Sequence, residues 1–192
     1  MSLTKKKRVA VLISGRGSNL QALMDARQNS HQIVLVVSNK PDAEGLSRAH
    51  AAGVEAIALD HGLFGQNREA FERELDAMLR SRGVELVALA GFMRVLTPFF
   101  VRAWAGRLVN IHPSLLPKYP GTRTHERALA AGDAEHGCTV HLVVDEVDAG
   151  PILGQAKLAI EPGDTPETLA ARVLELEHQL YPQCLAHLAR AL

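Results

Sequence analysis

Asn110 and His112 stand two residues apart in Val-Asn-Ile-His-Pro-Ser-Leu-Leu-Pro-Lys-Tyr-Pro-Gly, residues 109–121. An asparagine NH2 can donate to an oxygen on which negative charge develops. A histidine can donate as imidazolium and can carry a proton between an attacking amine and a leaving group. The pair works only if both side chains share a face. Residues 107–111 are short, apolar and β-branched and follow the Ala105-Gly106 break, which predicts a strand. Alternation then puts Asn110 and His112 on one side and Ile111 on the other. Pro113, Pro117 and Pro120 end regular structure and stiffen the next stretch as a loop. An isolated Asn-x-His is more often a turn asparagine and a satisfied strand-end histidine. The strand-end position and the rigid loop favour the chemical reading.

An imidazole that works as imidazolium needs a carboxylate beside it, which would raise its pKa. The turn at residues 145–151 offers Asp145, Glu146 and Asp148. Spacing does not choose among them, and any one of them also reads as a solvated turn residue.

A second constellation lies near the start. Residues 9–13 form an apolar run of the kind buried on both faces of a sheet. Ser14-Gly15-Arg16-Gly17-Ser18-Asn19 follows, then a helical pattern with Leu20, Leu23 and Met24 inward. Strand, glycine-rich turn and helix open a doubly wound α/β sheet. Gly15 and Gly17 let backbone come close to an anion, the helix start supplies free N–H groups, and Ser18 and Asn19 add side-chain donors. The third glycine of the dinucleotide fingerprint is missing, and no Gly-Lys-Ser/Thr follows. The ligand expected is a single phosphate monoester; the alternative is a plain turn with a Ser or Asn cap.

Further strands are expected at residues 33–37, 54–59, 84–90, 138–144 and 152–160. The last two would form a hairpin. Helices are expected at 43–52, 67–82, 123–131 and from Thr165 onward, with Phe71, Leu75, Met78 and Leu79 on one face of the second. Residues 60–65 read as a loop. Thr97-Pro98 reads as a helix cap and first helical residue. Phe92, Met93, Val95 and Leu96 leave a strand end, and serve either as core or as the wall of a pocket for a flat heterocycle.

The chain has 192 residues, enough for one sizeable core, and the expectation is a single domain over 1–192. Lys+Arg and Asp+Glu are both 21, so no general basic field for nucleic acid is expected. Cys138 and Cys184 suggest neither a disulfide framework nor a metal cluster, and a reducing cytoplasm is the simplest compartment. The basic residues within 1–8 read as a solvated lead-in to a strand. The apolar run after them is too short for a signal peptide or a membrane span.

Residues 109–121 resemble the signature of the folate-dependent formyltransferases. That resemblance implies a Rossmann-like three-layer α/β sandwich with a mostly parallel sheet and a C-terminal antiparallel hairpin. It implies 10-formyltetrahydrofolate as co-substrate, no metal, and Asn110, His112 and Asp148 as catalytic residues. Asp148 is chosen because Val-Asp-Ala-Gly-Pro is similar to the family's Asp-x-Gly-Pro. Together with the loop at 14–19, the resemblance points to the branch that formylates glycinamide ribonucleotide in purine biosynthesis. Gly15, Gly17, Ser18, Asn19 and Glu177 would then bind the ribonucleotide. Arg68, Met93, Arg94, Val95, Leu96, Val144, Asn110 and Asp148 would bind the folate, and Thr139 would help place a water. In this reading residues 8–104 form the ribonucleotide half, residues 105–192 the folate and catalytic half, and the enzyme acts as a monomer or homodimer. Relatives that formylate methionyl-tRNA or hydrolyse formyltetrahydrofolate carry additional domains, not expected here. A non-catalytic nucleotide-binding module is the rival from another class. Some relatives continue past the position of Leu192, so edge packing there is expected to differ.

Overall fold

The run at the start of the chain is apolar throughout because both faces of its strand are covered. In a computed structural model, which describes residues 6–26 and 29–192, the elements in chain order are β1 (Lys7–Ile13), α1 (Ser18–Asp25), β2 (His31–Ser38), α2 (Glu44–Ala51), β3 (Glu55–Ala58), a 3-10 turn (His61–Phe64), α3 (Arg68–Ser81), β4 (Leu86–Leu89), α4 (Pro98–Ala103), β5 (Leu108–His112), α5 (Thr124–Ala130), β6 (Glu135–Leu142), β7 (Ile152–Ala159) and α6 (Pro166–Ala191). Of the basic lead-in, residues 1–5 lie outside the described residues; Lys7 and Arg8 open β1.

The strands lie in the order β3-β2-β1-β4-β5-β6-β7. β1 to β5 run parallel, and β6 and β7 are antiparallel, as the hairpin expectation had it. Val9, Val11 and Ile13 face a core built with Leu20 and Leu23 of α1, Ala49 of α2 and Tyr181 and Leu185 of α6. Ala10 and Leu12 face the opposite core, with Phe71, Leu75 and Leu79 of α3 and Phe100 of α4. Three layers result, helix, sheet and helix. Each fully buried large apolar side chain contributes roughly 2 kcal/mol.

Some expectations need correction. The strand expected at 138–144 begins at Glu135 and ends at Leu142. Its first two residues are polar, so the apolar pattern hides them, but β7 pairs them across from Ala159 and Leu158. Residues 60–65 are not a plain loop: a 3-10 turn forms there because the Asp60 carboxylate accepts from the Gly62 N–H at 2.8 Å. Thr97 and Pro98 do open α4, but the Thr97 hydroxyl does not cap it. It donates instead to the buried Glu72 carboxylate, which also accepts the Thr97 N–H at 2.8 Å.

The sheet order reverses between β1 and β4, and open α/β sheets bind ligands beyond the strand carboxyl ends at such a switch point.

Candidate active site

A cavity of about 550 Å³ opens there, beyond the ends of β4 and β5. Asn110, His112 and Asp148 all line it. The strand carries the first two as alternation requires. Val109 and Ile111 go to one core and Leu108 to the other, so Asn110 and His112 project away from Ile111. In the antiparallel pairing of β5 and β6, His141 stands opposite Asn110 and Thr139 opposite His112.

The Asn110 amide nitrogen lies 3.3 Å from His141 Nε2. His141 Nδ1 lies 2.9 Å from the Leu142 carbonyl oxygen, so Nδ1 carries the proton and Nε2 accepts from Asn110. One N–H of the Asn110 amide is thereby committed, and the second is left for a ligand.

His112 is 5 % exposed. Its Nε2–H donates to the Tyr119 carbonyl oxygen at 2.8 Å, and its Nδ1 faces Asp148 Oδ2 at 3.4 Å. Burial pushes the imidazole below its ordinary value of 6.5; the Tyr119 carbonyl and the Asp148 charge raise it without making up the difference. The carboxylate therefore does not leave His112 with the raised pKa expected from the sequence. Burial alone would raise the Asp148 carboxyl. The His141 contact and the Gly121 N–H hold it below its ordinary 3.8. The Gly121 N–H donates to Asp148 Oδ2 at 2.8 Å, and His141 Nε2 stands 3.6 Å from Oδ1. A neutral Nδ1 thus faces an anionic oxygen, two acceptors with no proton between them. The dyad is poised to take one up.

The three acids of the turn separate cleanly. Asp148 faces the histidines. Asp145 is exposed and turned onto Arg102 at 2.7 Å, and Glu146 is exposed. Asp148 adopts φ 54, a left-handed conformation that aspartate tolerates. Gly150 is required behind it, since a Cβ there would stand 1.8 Å from the Leu142 carbonyl oxygen.

The glycine turn meets the cavity through Asn19, which lines it with Glu177; Gly15, Gly17 and Ser18 do not. One N–H of the Asn19 amide is committed, donating to Glu177 Oε2 at 2.7 Å. The Glu177 carboxyl is lifted by burial to about 6, with the Asn19 hydrogen bond pulling the other way. Gly17 sits at φ +75, and a Cβ on it would meet Gly45 Cα at 2.8 Å. Gly15 has open space around its Cα but its carbonyl accepts from the Gly45 N–H at 3.0 Å.

Met93, Arg94, Val95, Leu96 and Val144 line the cavity too. Met93 and Val95 are 71 % and 56 % exposed, an apolar rim. The Arg94 guanidinium lies over the Phe71 ring at 5.0 Å. Arg68 is not brought in: it is exposed at the first turn of α3 and lines no part of the cavity. Thr139 is not brought in either. Its hydroxyl donates to the Ser114 carbonyl at 2.7 Å and accepts from the Leu116 N–H and the Gln155 amide. It pins the proline loop beneath His112, which is a different task from placing a water.

Sequence reasoning did not pick out His141, Gly45, Tyr119 or Gly121 for the site. Strand alternation puts His141 on the face of Thr139, but only the register of β6 on β5 sets it against Asn110. Among the described residues, no group of three or more His, Cys, Asp or Glu is placed to hold a metal ion, and no helix is long and apolar enough to cross a membrane.

A family model described as formyl transferase matches residues 7–185. The chain is 52 % identical over 189 residues to the trifunctional purine biosynthetic protein adenosine-3 of Drosophila melanogaster, with 96 % of this chain and 14 % of that protein covered. It therefore spans a small part of the length of that relative. It is 49 % identical over 184 residues to the phosphoribosylglycinamide formyltransferase of Escherichia coli, with 94 % of this chain and 86 % of that protein covered. The solved structure of a phosphoribosylglycinamide formyltransferase from Coxiella burnetii matches at TM-score 0.92 and 48 % identity, over 97 % of this chain and 89 % of that one.

Proposed function

The chain belongs to the formyl transferase family, and on that premise we infer that it moves a formyl group from 10-formyltetrahydrofolate to the amine of glycinamide ribonucleotide, in the cytoplasm. The observation that carries this reading is one cavity. The Asn110 amide, the His112 imidazole and the Asp148 carboxylate line it together with Asn19, Glu177 and the apolar rim of residues 93–96. The ribonucleotide phosphate would lie on the turn at 15–19, and the flat folate ring against the rim.

In the reaction the amine attacks the formyl carbon. A bond forms from that carbon to the amine nitrogen, and the bond to the folate nitrogen breaks. The free N–H of Asn110 takes the negative charge that builds on the formyl oxygen. The proton lost by the amine enters the space between Asp148 Oδ2 and His112 Nδ1, and leaves to the folate nitrogen. His112 is held by Tyr119 on its other nitrogen, so its part is the proton, and the oxyanion falls to Asn110. A transfer assay offering glycinamide ribonucleotide, methionyl-tRNA and water as acceptors tests the assignment. Transfer to the ribonucleotide alone is expected; preference for either other acceptor would overturn it.

Gly17→Val is expected to weaken ribonucleotide binding by about tenfold or more, and to leave binding of a folate analogue nearly intact. A β-branched residue is strained at this backbone conformation, and its Cβ would push α2 away from the turn. Calorimetry with each ligand decides it; equal loss of both would mean misfolding.

Glu177→Gln separates stability from binding. The folded pKa of Glu177, about 6, lies above its reference of 4.5, so a stabilising contribution present below pH 4.5 is lost as pH rises through about 6. Glutamine removes that loss and keeps an acceptor for Asn19. The melting temperature of the variant is expected to climb relative to the parent protein between those two pH values and to stay higher above them. Ribonucleotide affinity is expected to fall on the order of tenfold. Melting curves across pH, with calorimetry at neutral pH, check both halves. An unchanged affinity would remove Glu177 from the binding site.

A further inference from the structure

Ser14 is the last residue before the glycine turn and is 5 % exposed. Its hydroxyl donates to Asn39 Oδ1 at 2.5 Å and accepts from the Met93 N–H at 2.8 Å. Its one proton and one of its acceptor positions are both committed. Asn39 is itself held at the end of β2: its N–H donates to the Ile13 carbonyl at 3.4 Å, and its own carbonyl accepts from the His61 N–H at 3.2 Å.

Two loops meet at this hydroxyl. On one side the backbone runs straight into Gly15, whose carbonyl is tied to Gly45. On the other, Met93 opens the segment that forms the apolar rim. The far end of that segment is anchored by Glu72 on Thr97. At the near end Phe92 packs against the core, whereas the Met93 side chain is 71 % exposed and adds little packing of its own. The backbone bond to Ser14 ties Met93 itself.

We propose that Ser14 is a positioning residue that couples the two ligand subsites. A phosphate ester that orders residues 15–19 fixes the direction of the Ser14 hydroxyl, and the hydroxyl fixes the Met93 backbone. Each ligand then strengthens binding of the other, by the same factor in both directions. The proposal rests on reading the cavity as a two-ligand transfer site. Nothing in it requires Ser14 to touch either ligand.

The test is calorimetry of a non-transferring folate analogue, with and without saturating glycinamide ribonucleotide. In the parent protein the ribonucleotide is expected to tighten analogue binding about fivefold, the low end for coupled sites and the scale of a single tie. In Ser14→Ala each ligand alone is expected to bind nearly as before, and the tightening is expected to vanish. Ser14→Thr, which keeps the hydroxyl, is expected to restore it. If Ser14→Ala does not fold, Asn39→Ala removes the acceptor that aims the hydroxyl, and the tightening is expected to shrink there. Independent binding in the parent protein, or tightening that survives in these variants, would overturn the coupling alone. Failure of either ligand to bind the parent protein would overturn the two-ligand reading instead.

Discussion

Asn110→Ala is expected to lower turnover by about a hundred- to a thousandfold, the usual loss when one donor to a developing oxyanion is removed. The reason lies in how the amide is spent. One of its N–H groups is committed to His141 Nε2 at 3.3 Å, which orients the plane of the amide. The other faces the cavity and gains strength only as the formyl oxygen becomes negative. An interaction made mainly in the transition state shows in turnover and not in ground-state affinity. Ribonucleotide and folate-analogue binding are therefore expected to change little. Steady-state kinetics together with calorimetry check this. Near-normal turnover would exclude the oxyanion role, and a loss confined to affinity would make Asn110 a binding residue only.

Local chemistry was legible in the sequence wherever it depended on residues close together in the chain. The alternation at 109–112 placed Asn110 and His112 on one face. The Ser14 to Asn19 turn announced a strand-to-helix turn at the head of a doubly wound sheet, and the acidic turn at 145–151 was found as a group. What depended on pairing at a distance was not legible. His141 became a site residue through the register of β6 on β5. Gly45 comes against the turn from a separate helix, where a Cβ on it would stand 3.2 Å from the Gly15 carbonyl oxygen and 3.3 Å from the Gly17 Cα. Thr139 shows the converse: a hydroxyl read as catalytic support is used up by the loop it holds, and only the fold brings Ser114 and Leu116 against it. The direction of the His112 shift was misread for a related reason. Sequence showed that a carboxylate was available, but not that burial of the imidazole outweighs it.

The same balance gives the second large effect. Asp148→Asn keeps the shape of the side chain and removes its charge. Without that charge the dyad no longer attracts the amine's proton, and turnover is expected to fall by a factor on the order of a hundred, the scale of losing one acid–base partner. The pH dependence follows from the direction of the His112 shift. The imidazole must be neutral to accept a proton, so turnover in the parent protein is expected to be level at neutral pH and to fall in acid, with the limb set by a His112 pKa below its ordinary 6.5. In Asp148→Asn a contribution that raises that pKa is gone. The acid limb is then expected to move to still lower pH, beneath a much lower plateau. Asp145→Asn breaks only an exposed pair with Arg102, and such pairs contribute about 0–1 kcal/mol. Glu146→Gln alters an exposed side chain. Neither is expected to disturb His112.

NMR titration of the His112 ring in the parent protein, Asp148→Asn, Asp145→Asn and Glu146→Gln tests the dyad most directly. The parent value is expected below 6.5, lower again in Asp148→Asn, and unchanged in the other two. A His112 pKa that holds steady in Asp148→Asn and drops in Asp145→Asn would contradict the pairing and make Asp145 the partner.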